Sequence, residues 1–553
     1  MPEALTFEEY SKKIASSFLQ SVVVVDDGAF LHHWERPRPH DNLVKPGRGT
    51  EPKKKSPQPG ESTSEYKTHD LDAKVLIDTF AEKGLICSVL KPTLMESFED
   101  KAFNAALLAD IVVLDWQLQG TEFPDKDAAG LIAKIIHGKG AQDRIRLIVI
   151  YSAEPARTIQ SKIAELLKQS GEFVAEDDDH TFIQNATRIC LFAKKGIIGA
   201  APGRAVSEEE LPDKLIGEFS QMTMGLLSNA ALASLAALRQ HTHLMLGRFR
   251  NPLDAPYLSH RILTFPPEEA EMHIVPLVVS ETESILEDAN VSDSVSIGQI
   301  KAWLDWHMRH DPPLYRRMRI KSKTEAKKAM LNLLTKGITG KNKSRSHKTW
   351  GKLLSRIKSE KNQRAPSRLT DIFTSDGKSG EIHDRELALL MSTRSQYQTL
   401  PPSLTLGTIV AEDIEDETHY FVCIQPKCDS VRLPKNGREF PFLPLTPVGK
   451  DTSSDFGYIV RDRATLVELQ LSLKPHDFRK FHFQPTKRGQ PIYASPVQGR
   501  WLFKSSSPDT SPLRWVAALK PDHAQRVAND FGHEITRVGL TESEWLRRCA
   551  KKR

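Results

Sequence analysis

Four apolar runs in the first third of the chain share one pattern: each is aliphatic or β-branched for several residues and stops at a polar group. They are Val22-Val23-Val24-Val25 before Asp26-Asp27, Ile111-Val112-Val113-Leu114 before Asp115, Leu147-Ile148-Val149-Ile150-Tyr151 before Ser152, and Arg188-Ile189-Cys190-Leu191-Phe192-Ala193 before Lys194-Lys195. Unbroken apolar runs of this length read as strands buried on both faces of a parallel sheet, and functional groups of such sheets gather at the C-terminal strand ends. The pattern between Asp70 and Lys83 is helical, and Met1–Gln20 reads as an amphipathic helix carrying Glu3, Glu8 and Glu9.

The texture then changes twice. Lys214–Phe249 repeats Leu, Ala and Met at helical spacing with a soft break at Gly225, and further helices are expected over Glu268–Asp288 and Ser296–Arg309. Short helices are also expected over Thr324–Lys336 and Ser346–Lys358, and one over Asp384–Thr393. Beyond Gln398 come short β segments: Leu404–Val410, His419–Gln425, Phe440–Leu445, Gly457–Val460, Leu466–Leu473, Gly499–Lys504 and Leu513–Leu519. Helices over His523–Phe531 and Thr541–Lys551 close the chain. The fold class is therefore multidomain: an N-terminal α/β doubly wound parallel sheet (1–200), a helical middle region (201–312), a basic helical segment with linker (313–398), and a C-terminal small β-barrel or sandwich with terminal helices (399–553).

Two stretches interrupt the first domain. Gly28–His69 contains Lys53-Lys54-Lys55-Ser56-Pro57 and has almost no apolar periodicity, a composition that cannot bury a core and predicts a disordered insertion. A shorter one, Gly120–Lys126, follows Asp115. At 553 residues the chain has room for three or four domains. Its five cysteines (Cys87, Cys190, Cys423, Cys428, Cys549) show no repeated pairing pattern, which fits a reducing cytoplasm rather than a disulfide framework. Neither a signal peptide nor a membrane-length apolar stretch is legible, so the expectation is a cytoplasmic protein without a membrane partner.

Charge is concentrated. Residues 315–364 hold 17 Lys or Arg against Glu325 and Glu360, a local net of +15 in a chain of +6, which leaves −9 for the remainder. Two basic helices around a Gly turn suit a phosphate backbone, with Lys327, Lys328, Lys348 and Lys352 as candidate contacts; a solvated helical pair is the plainer alternative. No pattern there reads bases.

The strand-end groups carry the chemistry. Asp26, Asp27 and Asp115 in one pocket would repel one another unless a hard cation neutralised them, and Mg²⁺ with oxygen ligands is the natural choice. An acid pair, a single acid, a hydroxyl and a lysine, in that order at successive strand ends, resemble the receiver domain of two-component response regulators over residues 18–200. The resemblance implies that Asp115 is the phosphoacceptor for a partner histidine kinase, and that Asp26, Asp27, Asp115 and the backbone carbonyl of Gln117 hold Mg²⁺. It implies that Ser152 and a lysine meet the phosphoryl oxygens, and that Gln117 and Glu154 occupy positions that tune dephosphorylation. Lys195 is favoured over Lys194 because it places Phe192 three residues earlier, where the family often carries a switch aromatic; Lys194 stays open. Gly196 replaces the family's usual proline.

The wider layout, with phrases such as Met391-Ser392-Thr393-Arg394 before Leu404-Thr405-Leu406-Gly407, looks like the large-insertion receiver proteins encoded beside sensor kinases in bacterial phage-defence operons. The reading is a phosphorelay component whose only chemistry is phosphoacceptance and loss of that phosphate. A nucleic-acid-binding effector is the alternative, and a Cys428-dependent enzyme, with His419, His476 or His482 as base, is a weaker one. Oligomeric state is left open.

Overall fold

The computed structural model describes residues 5–30, 71–92, 98–118, 128–137, 144–170, 173–176, 180–197, 200–265, 267–310, 322–337, 369–396, 400–415, 417–448, 457–506 and 511–536. The expected helices over Ser346–Lys358 and Thr541–Lys551, Lys348 and Lys352, the short insertion, and the Gly28–His69 insertion beyond Phe30 lie outside these residues. The chain groups into two units, Met1–Arg248 with Ser280–Trp306, and Phe249–Val279 with His307–Arg553.

The first unit is built on the apolar runs. In chain order it contains α1 (Phe7–Phe18), β1 (Ser21–Val25), α2 (Ala73–Glu82), β2 (Ile86–Leu90), α3 (Phe98–Leu108), β3 (Ile111–Leu114), α4 (Ala129–His137), β4 (Arg146–Ser152) and α5 (Ala156–Ser170). There follow β5 (Val174–Ala175), β6 (Thr181–Gln184), β7 (Thr187–Lys194), β8 (Ala205–Val206), α6 (Leu211–Met222), α7 (Leu226–Gln240) and α8 (Thr242–Arg248). The sheet runs β2-β1-β3-β4-β7-β6-β5, with β8 also on β7; the β2-β1-β3-β4-β7 part is parallel. This is a doubly wound order whose direction reverses between β1 and β3, where ligands of such sheets bind.

Alternation along the central strands feeds two cores. Val22, Val24, Val113, Val149 and Tyr151 face one that also takes Leu76 and Phe80 of α2; Val23, Val25, Leu114 and Ile150 face the other, with Ile132 of α4 and Ile163 of α5. The first core continues into α6 and α7 through Leu211, Leu215, Phe219 and Leu232. Full burial of each such side chain contributes roughly 1.5–3 kcal/mol, so these helices belong with the sheet. The boundary expected at residue 201, with a separate helical domain to 312, is therefore corrected. A stripe of Leu and Ala reports that a helix has a buried face, not what covers it.

The antiparallel pair β5–β6 was not anticipated. It is short, β5 is exposed, and it covers the edge that β7 would otherwise present. Arg188 of β7 ties it down: its guanidinium donates to Glu176 beyond β5 and to Glu218 of α6. The neck of the long insertion is closed by backbone bonds, Phe30 N to Leu71 O (3.0 Å) and Ala73 N to Phe30 O (2.9 Å). Asp72 then caps α2, its Oδ1 accepting from Lys74 N at 2.9 Å.

The second unit carries an antiparallel half-barrel: β9 (Thr408–Ile414), β10 (Glu417–Cys423), β11 (Arg438–Pro447), β12 (Tyr458–Asp462), β13 (Thr465–Leu471), β14 (Arg479–Phe483), β15 (Ser495–Val497), β16 (Arg500–Phe503) and β17 (Leu513–Ala518). Their order is β12-β13-β11-β10-β9-β17-β16-β15, with β14 also on β11. All seven expected segments become strands within a few residues. β14 was hidden by Arg479 and Lys480, although Phe481 and Phe483 alternate with His482 and enter an aromatic core with Phe440 and Phe442. The helix Pro521–Thr536 closes the opposite core with Val527 and Phe531. The phrases around Arg394 and Gly407 meet at one place: Arg394 N donates to Ala518 O (2.8 Å) and Leu519 N to Gly407 O (2.9 Å). Gly407 has φ +84°, and a Cβ there would lie 2.5 Å from that of Ala524, so the position requires glycine.

Candidate functional site

Register brings the acids together. Val25 pairs with Leu90 on one side and Leu114 on the other, so Asp26 and Asp115, one step further, leave the sheet side by side. Asp115 N donates to Val25 O at 2.8 Å, which holds the second acid against the first strand. Asp26, Asp27 and Asp115 each offer a carboxylate oxygen within 4.8 Å of the others. Across β4, Ser152 pairs with Ala193, and Lys194 emerges next. Its Nζ lies 2.9 Å from Asp26 Oδ2 and 2.9 Å from Asp115 Oδ2.

This cluster is under electrostatic tension. Burial, reinforced by the charge of Asp115, pushes the Asp26 carboxyl up to about 6 despite Lys194 beside it and the Gly28 amide donating to its Oδ1 at 2.8 Å. Burial alone would lower the Lys194 ammonium, but Asp26 and Asp115 reverse that and hold it above its usual value, so it stays charged. One lysine faces three carboxylates. The donor set is all oxygen, converging and partly buried, and so suits a hard divalent cation such as Mg²⁺. Asp110, at the other end of β3, makes the contrast: its Oδ2 accepts from Gln20 N (2.9 Å) and Ser21 N (3.3 Å), the role of a structural acid.

The lysine preference is corrected. Lys194 ends β7 and points into the cluster, whereas Lys195 is exposed on the turn before Gly196, at φ +95°. Alternation permits only one of two adjacent residues to face the pocket. With Lys194 in place, the residue three before it is Leu191, in the other core, so Phe192 does not hold the switch-aromatic position. Phe192 lies instead under the Arg204 guanidinium, 5.1 Å from its ring centre.

Two rim residues meet as their positions suggest: Gln117 Nε2 donates to Glu154 Oε1 at 3.2 Å, and Glu154 N donates to Ser152 Oγ at 3.3 Å. Sequence reasoning missed Tyr151. Its ring lies 5.9 Å from Lys194 Nζ and its hydroxyl donates to Val206 O at 2.9 Å, joining the strand under Ser152 to β8. Burial and then Glu208 hold this phenol above its ordinary value, and therefore protonated. Its place directly before Ser152 on a fully buried strand is the signal that marked it.

The other candidates are dispersed. Lys327 and Lys328 lie on the helix Lys323–Lys336, whose Ala326, Ala329, Met330 and Leu333 are buried. Cys428 is exposed, and no hydrogen bond among the described residues joins it to His419, His476 or His482; burial pushes the Cys423 thiol up to about 12.

Residues 18–197 match the family model of the response receiver domain. No curated protein and no solved structure matches the chain. The match spans the sheet from β1 to β7 and ends just past Lys194, enclosing the acid cluster. Residues 18–197 of this protein are thus a response receiver domain.

Proposed function

We propose that the chain is a response-regulator-type phosphorelay protein, in which Asp115 accepts a phosphoryl group from the phosphohistidine of a partner kinase. The observation that carries this reading is Lys194 bridging Asp26 and Asp115 at 2.9 Å each, inside a cluster of three carboxylates. A carboxylate oxygen of Asp115 attacks phosphorus; the new O–P bond forms as the N–P bond breaks, and the kinase histidine nitrogen keeps the electron pair and takes up a proton. Asp26, Asp27, Asp115 and the Gln117 carbonyl would hold Mg²⁺, which supplies charge neutralisation for the phosphoryl oxygens. Lys194 meets a second oxygen and the Ser152 hydroxyl donates to a third, so the protein contributes positioning and fixed charge. The setting we infer is the cytoplasm, beside a sensor kinase, in an anti-phage system.

Incubation with phosphoramidate and Mg²⁺ is expected to label the wild type once per chain and to leave Asp115→Asn unlabelled, with chelation abolishing the label. Equal labelling of the two proteins would overturn the reading.

A second reading rests on the helix Lys323–Lys336. Its apolar side is buried while Lys323, Lys328 and Lys336 are exposed. If the basic segment binds nucleic acid, gel retardation should weaken steeply with salt, and replacing Lys327, Lys328, Lys348 and Lys352 by Glu should remove it. Absence of retardation at low salt would leave a solvated face.

A further inference from the structure

The receiver match ends at Ile197, but the sheet continues past it. Beyond that point β8 lies parallel on the end of β7, with Ala193 opposite Ala205 and Lys194 opposite Val206, and Ala193 N donates to Arg204 O at 2.8 Å. Ala193 is thus held between Ser152 of β4 on one edge and Ala205 of β8 on the other, so the strand end that aims Lys194 is gripped from both sides. Val206, the partner of Lys194, is buried, and its carbonyl accepts the Tyr151 hydroxyl at 2.9 Å.

Two residues past Val206, Glu208 reaches the neck of the insertion: Asp72 N donates to its Oε1 at 3.1 Å, a charge-assisted bond in a half-buried place. The other side of that neck starts at the acid pair, where Ala29 N donates to Asp26 O at 3.4 Å and Phe30 N to Leu71 O at 3.0 Å. Of three successive glutamates, Glu208 turns this way, while Glu209 and Glu210 are exposed and bond to Ser207. The charge of Glu208 also acts on Lys194 and on Tyr151. A continuous set of bonds therefore runs from the neck, through Glu208 and Val206, to the lysine and to the strand under Ser152. We propose that Glu208 is a positioning residue for phosphoryl transfer, clasping β8 to the neck of the insertion so that Lys194 stays aimed at Asp115. The proposal rests on the phosphoacceptor reading of Asp115. Displacement of the neck at Asp72 then reaches the lysine, and with it the rate, because a misplacement of about 1 Å from a remote change costs up to about 10²-fold.

The test is the saturated labelling rate of the full chain with phosphoramidate and Mg²⁺. Glu208→Ala is expected to lower that rate about 10-fold, with the half-saturating phosphoramidate concentration and the calorimetric Mg²⁺ affinity within about twofold of wild type. Glu208→Gln, whose amide oxygen still accepts from Asp72 N, should restore the rate to within about twofold. Tyr151→Phe breaks the same clasp at Val206 and should slow transfer comparably, and the double variant Glu208→Ala with Tyr151→Phe should lose little more than the larger single loss. A Glu208→Ala rate equal to wild type, a Glu208→Gln rate as low as that of Glu208→Ala, or a double variant that loses the product of the two single losses would overturn the proposal and leave the phosphoacceptor reading standing. So would a fall in Mg²⁺ affinity that matches the fall in rate, the mark of a merely structural loss. A wild type that takes no label would remove the phosphoacceptor reading, and the clasp with it.

Discussion

Asp26→Asn is expected to raise the stability of the receiver domain at pH 8 while abolishing its Mg²⁺-dependent phosphorylation. The folded-state pKa of Asp26, about 6, lies above its unfolded value of 3.8. The folded chain therefore binds this proton more tightly than the unfolded chain does. Stability from this group is full below pH 4, falls as pH rises from about 4 to 6, and stays reduced above. Asn removes the ionisation that causes the fall, so the variant should gain about 1–3 kcal/mol over wild type at pH 8 and little at pH 4, measured by chemical denaturation with chelator present. Mg²⁺ binding to the wild type should show the reverse linkage. Occupation displaces the proton, so affinity should climb about tenfold per pH unit below about pH 6 and level off above it. An Asn variant less stable than wild type at pH 8 would mean that the pair with Lys194 outweighs burial and the repulsion from Asp115.

The second large effect separates two adjacent lysines. Lys194→Ala is expected to slow phosphoryl transfer to Asp115 by about 10²–10³-fold, the usual loss on removing one preorganised charge from a dry site. Lys195→Ala should leave the rate within about twofold, because an exposed charge is screened by solvent. Lys194→Arg should not restore the wild-type rate, since a planar guanidinium cannot occupy the point between Asp26 Oδ2 and Asp115 Oδ2 that the ammonium fills. The assay is the time course of labelling by phosphoramidate in Mg²⁺. A large loss with Lys195→Ala and none with Lys194→Ala would return the role to Lys195.

The sequence by itself determined the sheet and the acids at its rim. Val22–Val25, Ile111–Leu114 and Leu147–Tyr151 are apolar on both faces, which only a strand covered on both sides tolerates, and a polar residue that ends such a run must leave the core at the rim. The repeated short segments past residue 398 likewise required an antiparallel sheet. Three matters were decided by the tertiary structure. Lys194 and Lys195 are equivalent in a string of letters, and the choice between them followed from β7 pairing Ala193 with Ser152, which sets the phase of the last residue of the strand. The edge pair β5–β6, two and four residues long, is too short to be periodic, and it exists because β7 and the Arg188 ion pairs hold it. The helices after the receiver match were alike in pattern, yet α6 and α7 close the sheet's core while Leu253–Val279 remains exposed. Periodicity tells a helix that it has an apolar face; only the folded chain decides what that face is packed against.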